Sequence, residues 1–207
     1  MNYLAHLALI PSHDKDRADA LRIGNLLGDF IKGTESSLRA KHPSDLVDGI
    51  MLHRAIDKFT DAHPAFIASK ELLAPERRRY AGIVVDIIFD HFLSLHWNAY
   101  HDQPLDIFIS HIYTILDDNE GWRLGKLKHA FPMLKSQNWL ASYVTKEGIH
   151  ETFRRVATRG KFTAPVADTH LDFEEHYHSF EKHFHLIYKD LIIFTNQFTF
   201  EPTASEK

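Results

Sequence analysis

The chain contains no cysteine among its 207 residues. That absence excludes thiol nucleophiles, thiolate metal ligands and any disulfide framework, so a metal centre here has to be built from His, Asp or Glu. It is also compatible with a reducing cytosol. No stretch reads as a β-strand of useful length, no internal repeat recurs, and no low-complexity linker divides the chain. The opening segment MNYLAHLALIP has no basic lead, and its apolar stretch is short and broken by His6, so it reads as neither a signal peptide nor a membrane anchor. The expected location is cytoplasmic, without membrane contact. An excess of positive charge is missing too: the formal net charge is -4, which gives no overall pull toward nucleic acid.

What remains is material for one core. With 44% hydrophobic and 25% charged residues, residues 1–207 read as a single globular domain. The periodicity is helical throughout. Asp16 to Lys32 carries Ala20, Ile23, Leu27 and Phe30 or Ile31 at helical spacing, with Gly33 placed to cap the end. After Pro43 and Ser44, apolar positions Leu46, Val47, Ile50, Leu52, Ile56 and Phe59 predict an amphipathic helix that closes before Pro64, with His53, Asp57 and Asp61 on its polar side. Ala65 to Leu73 reads as a short helix, Pro75 as the start of another, and Leu105 to Asp117 as a further one. Asn119 to Pro132, with two Gly and a Pro, reads as a loop-rich excursion. Helical spacing resumes from Trp139 to Ala157, and a turn near Gly160 to Pro165 precedes a last helix whose seam is Phe173, Tyr177, Phe180, Phe184, Ile187, Leu191 and Phe194. The fold class is therefore all-α, a helical bundle.

Chemistry enters with the run Ala81 to Trp97, AGIVVDIIFDHFLSLHW, which is almost wholly apolar yet carries Asp86, Asp90 and His91. Burying an unpartnered carboxylate costs several kcal/mol, roughly, so two of them one helical turn apart call for a cation or a dense hydrogen-bond network. His53 and Asp57 share a face by the same spacing, as do Asn25 and Asp29. Three such pairs converging inside a bundle would make a His and carboxylate metal site suited to Mn²⁺, Fe²⁺, Zn²⁺ or Mg²⁺, and water on such an ion is a nucleophile near neutral pH. Hydrolysis is the matching reaction class. Each pair also has a plainer reading: a surface hydrogen bond for His53 and Asp57, a local ion pair with Lys32 for Asp29, buried acids bonded to backbone or Arg for Asp86 and Asp90, and a satisfied core histidine for His6. The sixteen histidines identify no ligand by number alone; His176, His178, His183 and His185 flank the last seam and read as a solvated or inter-helix face.

The blocks MNYLAH, GNLLGDFIKG (24–33), GIMLHRAIDKFTDAHP (49–64) and RRYAGIVVDIIFDHFLSLHW (78–97) resemble, in order, the acyl carrier protein phosphodiesterase family. From there to about residue 195 the likeness is looser. That family is similar to a non-typical branch of the HD phosphohydrolases, which implies an HD-like helical bundle. It also implies removal of 4'-phosphopantetheine from holo acyl carrier protein with a divalent metal, commonly Mn²⁺. The resemblance further implies His6 and Asp29 as metal ligands, Asp90 or His91 joining them, and Asp86 completing or orienting the shell. His53, Arg54 and Asp57 match an HR-x-x-D pattern. They would supply a protonating histidine, a phosphate-binding guanidinium and an orienting acid, with Asp29, Asp90 and His91 also in the reacting group. Asn25 and Lys32 are further candidates for substrate contact. Arg154 and Arg155, with Arg159, Lys161 and the triplet Arg77 to Arg79, are candidate docking surfaces for an acidic carrier. One departure is plain: Gly28 precedes Asp29 where an HD protein has His, and the nearest such dipeptide is the reversed Asp90-His91. Two other function classes fit parts of the sequence: an HD-like hydrolase of a small phosphorylated metabolite or nucleotide, and a noncatalytic helical protein that binds the carrier.

Overall fold

Apolar residues at a period of 3.6 make helices whose stripes must be covered, and the most apolar helix of this chain lies where it is covered from several sides. A computed structural model describes residues 1–158 and 163–200, and among them there is no strand. The central helix, spanning Ala81–Leu95, is preceded by two 3₁₀ turns and five α-helices: α1 (Tyr3–Ala8), α2 (Ala18–Leu27), α3 (Glu35–Arg39), α4 (Ser44–Ala62) and α5 (Pro64–Glu71), making Ala81–Leu95 α6. There follow α7 (Leu105–Asp118), α8 (Leu127–Ser136), α9 (Lys146–Ala157), α10 (Thr169–Glu175) and α11 (Tyr177–Gln197). Val84, Val85, Ile88, Phe89, Phe92 and Leu93 of α6 are fully buried, and α1, α5, α9 and α11 pack around them. No helix among the described residues is long and apolar enough to cross a membrane.

Boundaries depart from the periodicity where a local contact outweighs it. The stretch expected as one helix from Asp16 to Lys32 is a 3₁₀ turn at Lys15–Arg17 followed by α2, which stops at Leu27, so Asp29 sits on the turn beyond it. Pro75 opens a turn rather than a helix, because Arg77 is drawn inward: its guanidinium is 8% exposed as a residue and donates from Nη2 to Asp172 Oδ1 at 3.0 Å. Arg77 is thus a buried ion pair, and the expectation that it belongs to a docking surface is corrected. The stretch expected as a loop contains α8, which runs through Pro132. A mid-helix proline costs about 3 kcal/mol. Burial of Leu127, Phe131 and Leu134 on one face offsets it, at about 1.5–3 kcal/mol each. The last seam is interrupted at His176, which separates α10 from α11. Arg159 and the first half of the expected turn, residues 160–162 with Lys161, lie outside the described residues.

Helices α2 and α4 meet more closely than any side chain would permit. A Cβ on Gly24 would lie 2.2 Å from the Leu46 carbonyl oxygen, and one on Gly49 would lie 2.4 Å from that of Leu21. Two glycines facing each other bring the backbones together, and this fixes how α4 presents His53 and Asp57 beside the end of α2.

Candidate metal centre

Helix α1 is short and has no cap of its own, and its first free N–H groups are satisfied from α6. The Asp90 carboxylate accepts from Leu4 N at 2.8 Å and from Ala5 N at 3.1 Å. One turn earlier, Asp86 Oδ1 lies 2.7 Å from the Met1 amino group. The two acids of the apolar helix therefore hold the N-terminal segment in place, and that segment carries His6 inward to meet α2 and α4.

His6 is fully buried. Asn25 Nδ2 donates to the Leu9 carbonyl at 3.1 Å, which leaves Asn25 Oδ1 to accept from His6 Nδ1 at 2.9 Å. The tautomer follows: Nδ1 carries the proton, and Nε2 presents a lone pair. Nε2 lies 3.2 Å from Asp57 Oδ1 without hydrogen-bonding geometry, and it is a buried nitrogen left without a partner. Burial, with His53 beside it, pushes the His6 pKa down to about 3, so the ring is neutral at physiological pH. His53 stacks on it at a centroid distance of 3.9 Å and places its own Nε2 at 3.0 Å from Asp57 Oδ2 and 3.9 Å from Asp29 Oδ1. Burial alone would raise the Asp57 carboxyl, but its close contact with the His53 imidazole outweighs it and holds Asp57 below the ordinary carboxylate range.

The departure at Gly28 has a spatial cause. A Cβ there would sit 2.1 Å from Cγ of the His53 ring, so the residue before Asp29 has to be glycine for the imidazole to stack against His6. Beside the cluster opens a cleft of about 440 Å³. Its lining includes Asp29, Asp57, Asp61 and Asp86, together with Arg155, Met1, Trp139 and Tyr143. Arg155 is held over Trp139 at 4.7 Å and donates to Thr152 Oγ1 at 2.8 Å. Asn2 Nδ2 donates to Tyr143 Oη at 2.7 Å, closing the cleft behind the N-terminal segment.

Donor atoms of His6, His53 and Asp57 lie within 4.8 Å of one another, and this trio can hold a metal ion. The residues fit such an ion on the structure's own terms. A buried imidazole lone pair faces a carboxylate with no proton between them, and an acid-rich cleft has few cations of its own. Asn25 stands behind His6 as the partner that fixes a ligating ring.

Of the other residues singled out in the sequence, several lie elsewhere. Asp90 has both oxygens engaged by α1. His91 donates from Nδ1 to the Tyr143 carbonyl at 2.7 Å and turns Nε2 to Tyr177 Oη at 3.3 Å, so neither joins the trio as a ligand. Asp86 lines the cleft but is engaged by the Met1 amino group. Asn25 is buried behind His6 with both ends of its amide used, which removes it from substrate contact. Arg54 donates to the Gly33 carbonyl at 2.8 Å and Lys32 is exposed; neither lines the cleft. Arg154 is exposed and paired with Glu151 at 2.8 Å, whereas Arg155 is in the cleft wall. Sequence spacing missed Tyr143 and Trp139, which carry no motif and reach the cleft only through the packing of the segment before α9.

A family model described as acyl carrier protein phosphodiesterase matches residues 1–191. The chain is 34% identical over 182 residues to a protein named acyl carrier protein phosphodiesterase from Photorhabdus laumondii, covering 87% of this chain and 88% of that one. It is 34% identical over 198 residues to the protein of the same name from Enterobacter sp. strain 638, covering 93% and 96%. A third, from Pectobacterium atrosepticum, is 30% identical over 182 residues, covering 87% and 90%. No solved structure gave a match. The chain belongs to the acyl carrier protein phosphodiesterase family.

Proposed function

We propose that this protein hydrolyses the phosphodiester joining 4'-phosphopantetheine to the serine of holo acyl carrier protein, giving apo carrier and 4'-phosphopantetheine. His6, His53 and Asp57 would hold a divalent ion, with Mn²⁺ preferred. The observation that carries this reading is the unprotonated His6 Nε2 facing the Asp57 carboxylate, backed by the name shared by the relatives. An ion in that trio would supply Lewis-acid charge to a phosphoryl group. A cleft walled by four aspartates repels a phosphodiester anion otherwise, so such a charge is what the walls lack.

The chain's own residues supply the rest. Arg155 is the side-chain cation in the wall, in position to pair with a phosphate oxygen, and its stacking on Trp139 keeps the guanidinium plane oriented. Asp29, at the open edge beside His53, is suited to orient the attacking water and accept its proton. Trp139 and Tyr143 form the less polar wall along which a pantetheine arm could lie.

The test is incubation of chelator-treated protein with holo acyl carrier protein, with and without Mn²⁺, reading the carrier's intact mass. Loss of the phosphopantetheine mass only with metal is the expected result. An unchanged carrier mass with a folded enzyme and every divalent ion tried would defeat the reading.

A further inference from the structure

At the C-terminal end of α6, beyond the two aspartates, a second group of metal-ligating side chains gathers between α6 and α11. Ten residues separate Asp86 from His96, about 15 Å along the helix axis at 1.5 Å per residue, so the two groups are distinct. His96 is the residue that ends α6, and its Nε2 lies 2.7 Å from Glu181 Oε1. Glu181 and His185 are one turn apart on α11 and so project together. The His96 and His185 rings are 4.5 Å apart by centroid, and one donor atom from each of His96, Glu181 and His185 falls within 4.8 Å of the others. Tyr100 Oη sits 2.7 Å from His185 Nδ1, a partner that orients the ring and leaves Nε2 as its ligating nitrogen. His178, three residues before Glu181 and almost fully exposed, places Nδ1 3.5 Å from Glu181 Oε2.

We propose that His96, Glu181 and His185 form a Zn²⁺-class binding site that pins α11 to the end of α6, with His178 free to swing in as a fourth ligand. Two imidazoles and one carboxylate without sulfur are a known donor set for zinc, whose preferred tetrahedron needs one more ligand or a water. The trio spans two helices far apart in sequence, so an ion there cross-links them. Lys182 and Lys189 border the same shallow groove and weigh against a second cation, limiting the site to a single ion.

The site is tested with Zn²⁺ alone on the full-length, chelator-treated protein, by equilibrium dialysis with metal counting. Wild type should bind one more Zn²⁺ per chain than the double variant His96→Gln/His185→Gln. The control His183→Gln should match wild type, because His183 faces Ser69 on another side of α11. This difference does not depend on whether the N-terminal trio also takes zinc, since both proteins keep it. A second measurement needs no variant: Zn²⁺ should protect His96 and His185 of wild type from carbethoxylation at least several-fold, read by peptide mass. Equal stoichiometry in wild type and a folded double variant overturns the proposal. So does undiminished modification of both histidines at saturating Zn²⁺.

Discussion

Two groups of histidine and carboxylate, one built around the N-terminal segment and one at the C-terminal end of α6, are made from the same residue types and differ in what surrounds them. In the N-terminal trio His6 is sealed from water and His53 nearly so, the tautomer of His6 is set by Asn25, and a cleft lies alongside. In the C-terminal trio all three residues are partly exposed, His96 is hydrogen-bonded to Glu181 and His185 to Tyr100, and a shallow groove lies alongside. A buried lone pair facing a carboxylate is costly until a cation arrives, whereas an exposed His and Glu pair is content with water. The comparison teaches that chemistry should concentrate where polar groups are held unsatisfied, and that the exposed trio is suited to a structural ion.

The sharpest way to break this contrast is to neutralise one acid in each group. Asp57→Asn should lower kcat/KM for carrier hydrolysis by about a thousandfold or more, since it removes the anion shared by both imidazoles. Glu181→Gln should stay within about twofold of wild type; comparable losses in the two variants would erase the distinction. Next in size, Gly28→Ala drives a methyl group into the His53 ring, which should cost about 1–3 kcal/mol in denaturant unfolding. It should also cost about a hundredfold in kcat/KM, because the imidazole is displaced. A smaller effect is expected of Asn25→Ala. It frees the His6 tautomer and should weaken metal binding at the N-terminal trio about 10–100-fold, seen by titration with Mn²⁺. Full affinity in that variant would show that the ring needs no orienting partner.

The mildest test is pH. In the native protein burial pushes His6 down to about 3 and His101 down to about 4, both below the ordinary imidazole value of 6.5. Between those values and 6.5 each of these two imidazoles binds more proton in the unfolded chain than in the folded one, so their contribution to stability rises with pH across the window and is lost as pH falls through it, while the Asp90 carboxyl, pushed up by burial to about 7, works in the opposite direction. The two imidazoles should therefore pull the melting temperature of the chelated protein down between pH 6.5 and 4. His101→Phe should flatten part of the slope, and an unchanged slope would assign it to other groups.

How far the sequence foretold this molecule depended on whether a feature was local. The stripes of α4, α6 and α11 were legible because period and burial coincide along one element. His53 and Asp57 were legible as a pair because helical spacing alone puts them on one face, and the structure has them 3.0 Å apart. Asp90 and His91 invited a ligand role for a sound reason, since buried polar groups need partners. The partners are backbone groups: N–H of α1 for Asp90 and a carbonyl of the segment before α9 for His91, and no spacing rule announces contacts across 86 and 52 residues. Arg77 misled in the same manner, because its partner Asp172 lies 95 residues away. Gly28 could be noticed as a departure from a pattern, but that it makes room for a ring is visible only once α2 and α4 are packed.

The clamp of Asp90 on α1 bears on the order in which the protein becomes competent. His6 leaves the ribosome early, yet the carboxylate that anchors its helix is made 86 residues after Leu4. At about 5–20 residues per second that is a delay of roughly 4–17 s. Throughout that interval α1 lacks its anchor, and the first histidine of the trio has no fixed place. The N-terminal trio is thus completed only once α6 has been made, so a chain truncated before α6 would retain His6, Asp29, His53 and Asp57 and still be unable to assemble them.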